Sequence, residues 1–153
     1  HTARVGMLLE RYPRARFIYL VRNPYVVYES THNFFRSTLD AVRMQSFPQE
    51  ELDREILLNY RALYACYERD KKRIPEGQLF EVRFEELEEA PLDIVELLYR
   101  LSLDGFRHAK PAMERHLAAQ KGFRKKKYRF DPETIRTVEQ HWGDAVKQWN
   151  YHP

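Results

Sequence analysis

A single cysteine, only five glycines and no long apolar run set the first limits on this chain of 153 residues. One cysteine excludes a disulfide framework, and Cys66 falls in a helical pattern, so a reducing, cytoplasmic setting is expected. No apolar stretch approaches the ~20 residues that span a bilayer, and no signal peptide is visible. The glycines, at 6, 77, 105, 122 and 143, are scattered. His32, His108, His116 and His141 show no metal-ligand spacing with Cys66 or the acids, so no metal site is expected. A starting methionine is also absent. The chain opens at His1 directly in a helix-like pattern, which reads as a fragment or a trimmed chain.

What is present suits one folded domain. Apolar residues make up 43% and aromatics 14%, too many for a disordered chain. A domain of this length buries roughly 70% of its unfolded surface. Net charge is only +3, but it is unevenly spread. Residues 1–36 hold six Lys and Arg against two acids, a local +4. Residues 76–104 hold nine acids against Arg83 and Arg100, a local −7. "KGFRKKKYR" (121–129) holds six cations and no acid, which favours an anionic ligand.

Apolar periodicity predicts a helix over 3–11, ended by Pro13, then a short continuous apolar run, "RFIYLV" (16–21). Such a run suits a strand buried on both faces. Asn23 as cap and Pro24 at the first helical position open a helix to about Leu39. A loop is expected over 41–48. A long helix over 49–73 follows, with core positions Leu52, Ile56, Leu57, Tyr60, Leu63, Tyr64 and Tyr67. "QLFEVRF" (78–84) reads as a second strand. Helices are expected over 91–103, 109–120 and 132–149, the last opened by Asp131-Pro132. Two strands separated by a helical stretch imply parallel pairing in an α/β domain. A sheet of that class normally holds more strands, so further strands are expected ahead of His1.

In open parallel sheets, ligands sit beyond the carboxyl ends of the strands, against the N-termini of the helices that follow. Arg22 stands at such an end, and the helix from Pro24 offers N–H groups and a partial positive charge to an anion. Ser30 lies about two turns beyond Asn23, on the same face. A guanidinium fork with a hydroxyl donor could hold a phosphate there. Equally, Arg22 could be a strand-end charge in water and Ser30 could bond back to a carbonyl one turn earlier.

"RYPRARFIYLVRNPYVVYESTHNFF" (11–35) resembles the segment with which the sulfotransferase family binds the 3′-phosphate of its sulfuryl donor, PAPS (3′-phosphoadenosine 5′-phosphosulfate). In that family the strand ends in an arginine, and a serine follows eight residues later on a helix. Arg22 and Ser30 match position for position. "FEVRFEELEEAPLDIVELLYRL" (80–101) resembles the family's second strand, its "YEDL"-type turn and the next helix. "YRFDPETIRTVEQHWGDAVKQWNY" (128–151) resembles the closing helix of bacterial members. The likeness covers nearly the whole chain in the right order.

The resemblance implies an α/β fold with a P-loop-NTPase-like parallel sheet and flanking helices, here a helix-rich partial domain of about two strands. Phe84 stands where members carry a tyrosine near the donor's adenine; a core aromatic at a strand end is the plainer reading. Lys121 and Gly122, followed by Arg124, Lys125 and Lys126, resemble a loop that folds over the 3′-phosphate, though such a run can also be a solvated surface. His1 lies near the position of the histidine that serves many members as general base. Its register differs by one residue from the cytosolic members, and others use a carboxylate. Arg4 has no role by this comparison. The main departure is the lack of the Gly/Ser/Thr-rich loop with which members grip the 5′-phosphosulfate.

Three functional classes follow. The first is the C-terminal portion of a PAPS-dependent sulfotransferase, releasing PAP, with a nucleotide donor, an unidentified acceptor hydroxyl or amine, and no metal. The second is a non-catalytic nucleotide- or polyanion-binding module. The third, a nucleic-acid-binding helical domain using residues 121–129, would show steep salt dependence; the resemblance implies no nucleic-acid partner.

Overall fold

The computed structural model of the chain describes residues 1–42, 44, 48–102, 104–120 and 128–153. A 3-10 turn (Thr2–Arg4) leads into α1 (Val5–Arg11), and the extended Tyr12 before Pro13 ends that helix. β1 (Phe17–Val21) then runs into α2 (Pro24–Val42), followed by α3 (Gln49–Asp70) and a 3-10 turn (Lys71–Arg73). β2 (Leu79–Arg83) pairs with β1 in parallel, from Phe17↔Leu79 to Val21↔Arg83. Parallel strands need a crossover of at least a dozen residues, and α2 with α3 supplies it. Three helices follow: α4 (Phe84–Glu89), α5 (Pro91–Ser102) and α6 (Phe106–Ala119). α7 (Pro132–Gln148) closes the α/β fold.

The core lies where α2, α3 and α7 meet. Tyr25, Leu52, Ile56, Leu57, Val138 and Trp142 are buried together. Trp142 stacks on Tyr60 with ring centroids 4.0 Å apart, meets Tyr28 edge-on at 5.7 Å, and donates its indole N–H to the Leu57 carbonyl at 3.0 Å. Its own backbone (φ −124°, ψ 18°) kinks α7, so the indole is seated at the expense of helical regularity. At the other end of α3, the Gly6 N–H donates to the buried Asp70 carboxylate at 3.3 Å. A Cβ at position 6 would come within 2.6 Å of Arg73 Nη1, the tip of a half-exposed side chain that would have to move aside, and 3.1 Å of Asp70 Oδ2.

Both helix starts read from Asx-Pro form as expected. Asn23 Oδ1 accepts the Tyr25 N–H at 2.9 Å, and Asp131 Oδ1 accepts the N–H groups of Glu133 and Thr134, each at 2.9 Å. α7 ends in a Schellman motif. Asn150, at φ +50°, sends the Tyr151 N–H back to the Val146 carbonyl at 3.0 Å and its own N–H to Lys147 at 3.2 Å. That turn folds the C-terminal tail against the strand ends.

Three expectations are corrected. β1 is not buried on both faces. Tyr19 stacks on Tyr67 at 3.6 Å on one side, but Ile18 and Leu20 on the other are 51% and 45% exposed. A parallel strand is buried twice only where helices cover both faces, and no described residue covers these two. Leu63 shares the Ile56 stripe of α3 yet is exposed, because nothing described packs on it at that height. The expected turn after β2 is instead α4, whose first-turn acids Glu85 and Glu86 suit a helix N-terminus. No helix among the described residues is long and apolar enough to cross a membrane.

Candidate functional site

The parallel register brings the two strand ends side by side, Val21 opposite Arg83, so that Arg22 and Phe84 leave the sheet as neighbours. The Arg22 guanidinium carbon lies 4.7 Å from the Phe84 ring centroid. Arg22 is exposed and makes no hydrogen bond or ion pair among the described residues. Arg83, one step back on β2, is placed differently. Its guanidinium carbon lies 4.5 Å from the centroid of the buried Tyr151 ring.

The turn carrying Arg22 is held from three sides. The Asn23 N–H donates to Glu85 Oε1 at 3.0 Å, and Asn23 Nδ2 donates to the His152 carbonyl at 3.1 Å. The Tyr151 hydroxyl donates to Glu85 Oε2 at 2.6 Å and lies 3.4 Å from the Val21 carbonyl. Burial first, then the Glu85 carboxylate, raise the Tyr151 phenol above its ordinary range, so it remains a donor at neutral pH.

The N-terminus of α2 offers less than its sequence promised. Pro24 has no N–H, Tyr25 gives its own to Asn23, and Val27 bonds the Asn23 carbonyl at 3.0 Å. Among the described residues only the Val26 N–H remains for an external anion in that turn. Ser30, half-buried on α2, does not make the local carbonyl bond that Ser37 makes to Phe34 at 3.0 Å. Its hydroxyl has no partner among the described residues.

Lys121, Gly122 and Arg124, with Lys125 and Lys126, lie outside the described residues. Beyond them, the Tyr128 ring stacks with Phe130 at 6.2 Å, and Phe130 lies 5.6 Å from Tyr25 in the first turn of α2. The exit from this basic segment is thus fastened three residues from Arg22. His1 is exposed ahead of the first 3-10 turn, and its carbonyl accepts the Arg4 N–H at 2.8 Å. No hydrogen bond, ion pair or ring contact among the described residues joins it to Arg22, Ser30 or Phe84. Sequence reasoning gave no role to Glu85 and Tyr151, which meet across 66 residues; both stand in the segments that resemble the family, Glu85 in the "YEDL"-type turn and Tyr151 at the end of the closing segment, but nothing in the sequence joined them.

A family model described as the Sulfotransferase family matches residues 1–106. The chain is 29% identical over 152 residues to the omega-hydroxy-beta-dihydromenaquinone-9 sulfotransferase Stf3 of Mycobacterium bovis. The Mycobacterium tuberculosis protein of that name matches at the same 29%. The match covers 99% of this chain but 39% of those relatives, so the chain spans about two fifths of their length. The crystal structure of the sulfotransferase STF9 from Mycobacterium avium shares the fold, with a TM-score of 0.81 at 19% identity over 99% of this chain and 40% of that one. By the family match over most of its length, and by a fold that sets Arg22 and Phe84 at adjoining strand ends, the chain belongs to the sulfotransferase family.

Proposed function

We propose that this chain supplies the 3′-phosphate half of a PAPS site, in a protein that transfers a sulfuryl group to an acceptor hydroxyl or amine and releases PAP. One observation carries the proposal: Arg22 stands at the carboxyl end of β1, exposed and unpaired, beside an aromatic ring at the end of β2. A guanidinium kept free of internal carboxylates is suited to an external anion, and phosphate matches its planar fork. The residues fit the group. Arg22 would take the 3′-phosphate, Ser30 has a hydroxyl to give, and Phe84 offers an aromatic surface near the adenine. Lys121, Gly122 and Arg124 would close over the same phosphate, supported by the anchoring of Phe130 on Tyr25.

Bound PAPS brings the transferable sulfuryl group; the described residues act by binding and orienting its nucleotide end. The grip on the 5′-phosphosulfate would come from a Gly/Ser/Thr-rich segment ahead of His1. His1 is proposed as the base that takes the acceptor's proton, on its sequence position alone. The Mycobacterium relatives, named for an ω-hydroxylated dihydromenaquinone, favour a hydroxyl over an amine as acceptor. A cytoplasmic location is proposed from the single, unbridged Cys66.

The test is isothermal calorimetry with 3′,5′-ADP on the complete protein. Arg22→Ala should weaken binding by about a hundredfold, the loss of a charge-assisted fork of roughly 2–3 kcal/mol, while the far-UV spectrum stays unchanged. Equal affinity in the two proteins would remove Arg22 from the site.

A further inference from the structure

The strand-end junction contains a carboxylate that the donor-site assignment does not use. By charge alone, Glu85 beside an anion-binding turn opposes the ligand. Yet both of its oxygens are engaged in ways that bear on Arg22. Oε1 accepts the N–H of Asn23, the residue directly after Arg22, at 3.0 Å. Oε2 accepts the Tyr151 hydroxyl at 2.6 Å, and that hydroxyl lies 3.4 Å from the carbonyl of Val21, the residue directly before Arg22. The peptide after Arg22 is therefore fastened to this carboxylate, and the phenol that holds the carboxylate lies against the carbonyl before Arg22.

The pair is itself immobilised. Tyr151 is 3% exposed and lies under Arg83, and the Schellman turn at Asn150 directs it inward. Glu85 sits in the first turn of α4, one residue past Phe84, the ring against Arg22. One side chain thus registers β1, β2 and the C-terminal tail at the point where Arg22 leaves the sheet.

We infer that Glu85, held by Tyr151, is a positioning residue that fixes the direction of Arg22. This rests on Arg22 holding the 3′-phosphate. Glu85 acts in this inference through the backbone and not on the ligand, since both its oxygens are taken by Asn23 and Tyr151. Its effect is to hold the backbone from which a long, flexible side chain projects, and fork recognition is sensitive to displacements of about an ångström.

Charge and positioning predict opposite outcomes, which makes the inference testable on the complete protein. Calorimetry would give Kd values for 3′,5′-ADP and for 5′-AMP, which lacks the 3′-phosphate. Glu85→Ala should weaken 3′,5′-ADP by about tenfold and 5′-AMP hardly at all, whereas Glu85→Gln, which keeps an acceptor for the Asn23 N–H, should restore most of the loss. Tyr151→Phe keeps the ring under Arg83 and removes only the donor; a selective loss of roughly threefold is expected, and it serves if Glu85→Ala does not fold. In an Arg22→Ala background, Glu85→Ala should have no further effect on 3′,5′-ADP.

Unchanged or improved discrimination between the nucleotides in Glu85→Ala and Tyr151→Phe would overturn the inference. So would an equal loss for both nucleotides, or a loss that persists without Arg22. A wild-type protein that does not distinguish the two nucleotides would instead overturn the 3′-phosphate assignment, and this inference with it.

Discussion

Around Trp142, helices α2, α3 and α7 meet through rings and aliphatic side chains that are almost wholly buried, with one indole hydrogen bond among them. Around Arg22, the chain is joined by a few hydrogen bonds to Asn23, Glu85 and Tyr151, and a guanidinium is left pointing outward. The first region gains its stability from area, which is non-directional and shared among many neighbours. The second gains direction from bonds that each have one partner. The two arginines at the strand ends repeat the contrast at small scale. Arg83 is half-buried over Tyr151, while Arg22 rests on Phe84 and keeps its donors free. Adjacent strands of one sheet thus end in a structural arginine and an available one.

The largest effect is expected in the core. Trp142→Ala removes the ring that Tyr28 and Tyr60 pack on, and should lower stability by about 3–5 kcal/mol in a denaturant titration. A loss below about 1 kcal/mol would break the claim that this cluster carries the fold. Arg22→Ala comes next and should show the reverse pattern. Stability should change by less than about 0.5 kcal/mol, while 3′,5′-ADP binding falls by roughly two orders of magnitude.

The C-terminal turn lies between these extremes. Asn150→Ala places a Cβ residue without a compensating amide at φ +50°, and should cost about 1 kcal/mol, whereas Asn150→Gly should be neutral or slightly stabilising. Equal thermal midpoints for the Ala and Gly variants would show that the left-handed turn does not matter.

The smallest effect concerns pH. Hydrogen bonds from the Thr134 backbone N–H and then its hydroxyl, followed by the Glu133 N–H, hold the Asp131 carboxyl below its usual range. A depressed carboxylate contributes stability fully above its unfolded pKa of about 3.9 and loses it as pH falls through the folded value. Asp131→Asn keeps an N-cap acceptor but cannot titrate, so the acid limb of a stability–pH curve should be shallower. An identical acid limb in both proteins would remove Asp131 from the pH dependence.

Local chemistry made much of the fold legible. The run 16–21 and the segment 78–84 contain the two strands, and the Asx-Pro pairs at 23–24 and 131–132 mark real helix starts. Such features depend on neighbours within a turn or two. What failed depended on distant packing. Whether Ile18, Leu20 and Leu63 are covered is decided by other elements, and the alternation within their own segments says nothing about it. α4 was missed because a six-residue helix carries too few positions for a period to show.

For the site, Arg22 and Ser30 came from family likeness, whereas the placement of Arg22 against Phe84 follows from the strand register. The Glu85–Tyr151 bond joins residues that no spacing rule connects. Lys121, Gly122 and Arg124 lie outside the described residues, so their place over the phosphate stays with the proposal.

The most direct measurement removes the phosphate from the ligand and the guanidinium from the protein in one cycle. Kd values for 3′,5′-ADP and 5′-AMP would be determined by calorimetry on the complete wild-type protein and on Arg22→Ala. If Arg22 holds the 3′-phosphate, the wild type should favour 3′,5′-ADP by about a hundredfold and the variant should bind the two nucleotides nearly equally. A preference that survives intact in Arg22→Ala would contradict it and place the 3′-phosphate elsewhere.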